Sequence, residues 1–81
     1  MRLPRDLSGR QLAALLRRHY GYEIVRQTGS HLRLRTDLSG EHRLTMPAGG
    51  SLRVGTLAAI LADVADHRGV PRSQVEEELF G

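Results

Sequence analysis

His31 follows Gly29-Ser30 and opens a strict alternation, Leu32-Arg33-Leu34-Arg35. In an extended strand this spacing sends His31, Arg33 and Arg35 to one side and Leu32 and Leu34 to the other. A later strand is expected to project Arg43 on the same polar side, with Arg26 close by. A neutral imidazole accepts a proton, and guanidinium groups grip phosphate oxygens two at a time. RNA supplies its own nucleophile, the 2′-hydroxyl. Cleavage without metal then needs a base for that hydroxyl, positive charge at the phosphorus and an acid for the leaving oxygen. His31 fits the base, and Arg26, Ser30, Arg33, Arg35 and Arg43 fit the phosphate contacts. The expected product carries a 2′,3′-cyclic phosphate. The same pattern also describes an ordinary solvated strand face, so the position of His31 leaves both readings open.

Other chemistries find little support. The four histidines, at 19, 31, 42 and 67, have no H-x-x-x-H spacing and no accompanying carboxylate cluster, so neither a metal site nor a cofactor is expected. With no cysteine, a disulfide framework, a thiolate zinc site and a thiol nucleophile are all excluded. Neither a phosphate-binding glycine loop nor a G-x-S-x-G elbow occurs. His19 is expected to pack or cap near a helix end, and His67 to favour the dipole at the end of another helix. His42 sits at a strand edge with no clear role.

All 12 basic residues are arginine, against 9 acidic residues, for a net charge of +3. The excess of positive charge suggests a polyanionic partner, although it is also of a size that simply aids solubility. The opening stretch MRLPRDLSG lacks the apolar segment of a signal peptide, and no apolar run is long enough to cross a bilayer. A cytoplasmic protein without membrane contact is therefore expected. The 81 residues fit one domain, residues 1–81, with a core over about 7–68 and a C-terminal helical extension over 71–80.

The elements that must hold His31 can be read in order. Ser8 and Gln11 make a capping-box pattern, and Leu7 with Leu12 a hydrophobic staple. Leu12, Leu15 and Leu16 share one helical stripe, extended by His19 or Tyr20, and Gly21 ends the helix. Arg10, Arg17 and Arg18 fall off the stripe. Residues 22–27 favour a strand whose facing is ambiguous, because Ile24 and Val25 are adjacent. Thr28-Gly29-Ser30 reads as a tight turn before the strand of His31. A turn over 37–40 leads to a third strand, 41–46, with Leu44 and Met46 facing inward and Arg43 and Thr45 outward; Pro47 ends it. Residues 48–51 read as a flexible loop. A second helix covers about 54–67, with Leu57, Ile60, Leu61 and Val64 at helical spacing, and Gly69 stops it. In the closing helix Ser73 and Glu76 form another possible capping box, Val75 and Leu79 one apolar row, and Glu76-Glu77-Glu78 a solvated face or a contact with another chain. The order is α-β-β-β-α plus a C-terminal helix, an α+β sandwich with a three-stranded antiparallel sheet and the topology of a double-stranded-RNA-binding domain.

Several of these stretches together resemble the HicA family of bacterial toxins. The run Arg26-Gln27-Thr28-Gly29-Ser30-His31 is similar to that family's Gly-Ser-His turn into the second strand. Leu44-Thr45-Met46-Pro47 resembles its third strand, and Gly55-Thr56-Leu57 with Ile60-Leu61 the start of its second helix. Ser8-Gly9-Arg10-Gln11-Leu12 resembles its opening. The similarity spans roughly residues 7–68. It implies a double-stranded-RNA-binding-like fold, endoribonucleolytic cleavage of mRNA with His31 catalytic, and a HicB-like antitoxin that covers the active site. The chain departs from the family at Leu32, where many members carry a second histidine, and at Ala48-Gly49, where many carry another. Arg53 and Val54 stand in place of lysines. The general acid therefore has no candidate.

Two other functions fit the same residues. One is an RNA-binding module of the same fold that does not cleave. The other is an interaction domain whose basic surface meets an acidic protein only.

Overall fold

Ser8 starts the first helix as the capping pattern requires. Its Oγ accepts a hydrogen bond from the Gln11 N–H at 3.1 Å, and Gln11 Oε1 accepts one from the Ser8 N–H at 2.9 Å. Two orphan donors of the helix end are thereby satisfied. In the computed structural model, which describes residues 3–81, helix α1 spans Gly9–Tyr20. Met1 and Arg2, where the stretch read as lacking a signal peptide begins, lie outside the described residues. Leu12, Leu16 and Tyr20 are buried on one stripe of α1 and Leu15 is half-buried. Tyr20 rather than His19 completes the stripe, and Gly21 closes the helix in the left-handed conformation.

Three strands follow, β1 (Glu23–Thr28), β2 (His31–Thr36) and β3 (His42–Pro47), antiparallel and in the order β1-β2-β3. Pro47 belongs to β3, since it pairs with His31 at the sheet edge. Helices α2 (Val54–Arg68) and α3 (Arg72–Phe80) complete the α-β-β-β-α order and its extension. Leu32, Leu34, Leu44 and Met46 are buried together with Leu12 and Leu16 of α1 and with Leu57, Leu61 and Val64 of α2. The helices thus cover one face of the sheet and leave the other open.

The ambiguity of β1 has a structural cause. The ladder skips a residue between Ile24 and Arg26, leaving Val25 in a bulge. Ile24 pairs with Leu34 on the helix side, yet Ile24 and Val25 remain 48% and 55% exposed.

Thr36 locks β2 to the end of α1. Its Oγ1 donates to the Tyr20 carbonyl at 2.9 Å and accepts from the Leu38 N–H at 3.1 Å. Thr36→Val keeps the shape but leaves the buried Tyr20 carbonyl and the partly buried Leu38 N–H without this partner. It is expected to cost about 1–3 kcal/mol, measured as a lower urea midpoint with an unchanged slope.

Three expectations are corrected. The loop 48–51 is tied down at both ends rather than loose. Ala48 is buried and its N–H bonds the Ser30 carbonyl at 2.7 Å, Ser51 bridges to Ser8, and the Leu52 N–H bonds the Leu7 carbonyl at 2.7 Å. The capping box at Ser73 does not form either, because α3 begins at Arg72, directly after Pro71, with no side-chain cap. Glu76 is buried instead and accepts from Arg72 Nε at 3.0 Å, while Glu78 accepts from the Tyr20 hydroxyl. The acidic run is therefore not simply a solvated face: two of its three residues hold α3 in place. Burial, with Glu78 beside it, pushes the Tyr20 phenol above its usual range, so it stays protonated and donates. Among the described residues, no helix is long and apolar enough to cross a membrane.

Candidate functional site

The two-residue turn Gly29-Ser30 joins the paired residues Thr28 and His31. Gly29 has φ 58° at the first turn position. A two-residue hairpin with a left-handed first residue needs glycine there. His31 therefore stands at the first position of β2, with Thr28 on one side and Pro47 on the other. The turn is braced from behind. Ala48 donates to the Ser30 carbonyl at 2.7 Å and accepts from the Arg10 N–H of α1 at 3.3 Å.

Residues directly paired in an antiparallel sheet share a face. The register therefore builds the open face in rows. Thr28, His31 and Pro47 form the first, Arg26, Arg33 and Thr45 the second, and Glu23, Arg35 and Arg43 the third. Successive rows lie about 7 Å apart along β2. All the expected site residues thus belong to this face or, for Ser30, to the turn at its end.

The structure divides them into two groups. Arg35 is held by carboxylates, with Nε 2.7 Å from Glu41 and a two-pronged contact to Asp37 at 2.8 and 3.0 Å. Arg43 shares Glu41 at 3.2 Å. Hydrogen bonds from Arg35 first, and then Arg43, hold the Glu41 carboxyl below its usual range. Arg26 and Arg33 also face each other across a strand pair, but neither has an ion-pair partner among the described residues. Two like charges in directly opposed positions repel. An anion placed between them relieves that repulsion. Sequence reasoning treated the four arginines as equivalent and missed Asp37 and Glu41. Their only signal was a spacing of two positions, Asp37 after Arg35 and Glu41 before Arg43.

The histidines divide in the same way. Burial, and then Asp63, push the Tyr22 phenol up to about 12, so Tyr22 donates to His42 Nδ1 at 2.7 Å. His42 Nε2–H is left to donate to Asp63 at 3.1 Å. The His42 ring stacks on His67 at 4.4 Å, and His67 Nε2 donates to the Leu38 carbonyl at 3.1 Å. These two rings pin the turn after β2 to α2. His67 lies in the last turn of α2, where the helix dipole favours it, and makes a specific bond as well. His19 is exposed on α1 beside Tyr20. The His31 ring is exposed and makes no hydrogen bond among the described residues. No group of three or more His, Cys, Asp or Glu is placed to hold a metal ion among them.

Fold and site together define a small α+β protein with its helices on one sheet face and a cationic, histidine-bearing face left open. The family model described as HicA toxin of bacterial toxin-antitoxin matches residues 9–65, and the chain belongs to that toxin family. Searches of curated proteins and of solved structures returned no match.

Proposed function

We propose that the protein is a metal-independent endoribonuclease that cleaves mRNA in the cytoplasm and is neutralised by a HicB-like antitoxin covering the open sheet face. The observation that supports this best is the free His31 imidazole one row from the unpaired cross-strand arginines, Arg26 and Arg33. In this reading Arg26, Arg33 and Ser30 hold the scissile phosphate. His31 takes the proton of the 2′-hydroxyl, O2′ bonds to phosphorus, and the bond from phosphorus to the 5′-oxygen breaks. The 5′-oxygen takes up a proton, leaving a 2′,3′-cyclic phosphate and a 5′-hydroxyl. The substrate contributes the nucleophile and His31 the base, so no step calls for a bound metal.

The test is incubation of a defined mRNA with the protein and with His31→Ala, both in EDTA. Cleavage by the native chain alone, with cyclic phosphate ends, supports the proposal. Salt-sensitive RNA binding without cleavage by either sinks it in favour of the non-cleaving RNA-binding module. That second reading draws on one observation: the row neighbours of His31, Thr28 and Pro47, offer no general acid.

The carboxylate clamp yields a further prediction. Glu41→Gln releases Arg43 and loosens Arg35. RNA affinity is expected to rise, and the slope of log K against log salt to steepen by roughly 0.7 for each additional phosphate that a freed arginine neutralises on a single strand. Filter binding over a salt series measures it, and an unchanged slope means that these arginines stay engaged or lie outside the RNA path.

A further inference from the structure

Helix α1 carries a second stripe beside its buried one. Arg10, Ala14 and Arg17 recur at helical spacing, and with Ala13, Arg18, Tyr22, Glu23 and Ile24 they line a groove of about 700 Å³ between α1 and β1. It lies on the helix side of β1, opposite the open face. Its floor is apolar because α1 presents alanine where a larger side chain would have covered Ile24. That leaves Ile24 half-exposed, with Val25 exposed next to it at the bulge. The rim is cationic, with three arginines and one glutamate. One bridge joins its two sides, Arg17 to Glu23 at 3.4 Å, while Arg10 donates to Gln27 at 2.6 Å. Both members of the Arg17–Glu23 pair are more than 60% exposed, and such pairs exchange readily for a better anion.

We propose that this groove docks an acidic segment of a partner protein through an aliphatic side chain seated between two carboxylates. The spacing of the two arginines matches such a segment to within about 3 Å, which their long side chains can span. Arg10 and Arg17 are seven residues apart on a helix, about 10 Å. In an extended chain, residues i and i+4 point the same way about 13 Å apart, with i+2 midway between them. A segment of the form acid-x-aliphatic-x-acid therefore sets its carboxylates at the two arginines and its aliphatic residue on Ala13, Ala14 and Ile24. The bulge at Val25 interrupts the β1 edge, so side chains rather than strand addition carry the contact. A phosphate backbone would use the arginines but leave the apolar floor empty. The proposal is independent of RNA cleavage, because it uses neither His31 nor any arginine of the open face.

The experiment titrates the intact, isotope-labelled chain with a capped peptide, Ser-Glu-Ser-Leu-Ser-Glu-Ser, while following backbone amide resonances. Saturable shifts are expected at Ala13, Ala14, Ile24 and Val25. They should be lost when the two Glu are replaced by Lys and when the Leu is replaced by Ser. Ala14→Leu keeps a strong helix former at an exposed position and fills the groove. It is expected to weaken the peptide by about tenfold or more, while its amide spectrum elsewhere reports an intact fold. The proposal is overturned if the peptide produces no groove shifts, if Ala14→Leu binds it equally well, or if an oligouridylate moves the groove amides more than the peptide does.

Discussion

His31→Ala is expected to lower RNA cleavage by about 10²–10⁴-fold, the usual contribution of a positioned base, and to leave RNA affinity nearly unchanged. The separation follows from where affinity comes from. Binding to a polyanion is carried by cations and the counterions they displace, and on this face those cations are Arg26 and Arg33. The His31 ring is exposed and makes no hydrogen bond among the described residues, so its removal falls among surface changes worth about ±0.5 kcal/mol of stability. Lost cleavage therefore cannot be blamed on lost folding. Arg33→Ala is the complement. It should weaken binding across RNA sequences and reduce the salt slope by roughly 0.7. Single-turnover cleavage at saturating protein, measured beside filter binding, distinguishes the two variants. Equal cleavage by His31→Ala would move the chemistry to another group.

What could be read from the chain was what neighbouring residues decide. The capping box at Ser8 and Gln11 is a contact over three positions, and both of its bonds form. The alternation Leu32-Arg33-Leu34-Arg35 is a period-two signal, and the burial of Leu32 and Leu34 follows it. The sequence also brought His31, Arg33, Arg35 and Arg43 to one face with Arg26 nearby, and the register sets Arg26 directly opposite Arg33. What escaped depends on partners distant in sequence. His42 meets Tyr22 and Asp63, some 20 positions away on either side, and Glu78 meets Tyr20 across 58. No local pattern encodes such pairs. The bulge at Val25 was legible only as an ambiguity, since two adjacent aliphatic residues contradict a period of two without saying which one is displaced. The division of the arginines was missed for a different reason. Asp37 and Glu41 were visible, but whether a carboxylate folds back onto a strand depends on the shape of the turn between them.

Gly9→Ala is expected to be the most damaging single methyl group that can be added to this chain. Gly9 is the first residue of α1, where alanine would ordinarily stabilise by up to about 1 kcal/mol. Here, however, the added carbon would overlap the Pro47 carbonyl oxygen and lie 2.8 Å from its carbon and 3.4 Å from Ala48 Cα. These are backbone atoms and cannot rotate aside, so α1 and the end of β3 must part. Overpacking of this kind costs about 1–3 kcal/mol and occasionally more, and at 4–8 °C per kcal/mol in a domain of this size about 3 kcal/mol lowers Tm by roughly 12–24 °C. Gly55→Ala is the control of opposite sign. Gly55 also lies in the first turn of a helix, but nothing is within 4 Å of its added carbon, so a gain of about 0.4–1 kcal/mol is expected. Thermal unfolding of the two variants beside the native chain measures both effects. The consequence reaches the site as well, because Pro47 pairs with His31 and the next residue, Ala48, holds the Ser30 carbonyl. Displacing that strand end moves the turn that presents His31. Cleavage by Gly9→Ala should therefore fall even at temperatures where the protein remains folded, whereas Gly55→Ala should cleave normally. If Gly9→Ala melts like the native chain, the close approach of α1 to Pro47 is not the brace described here.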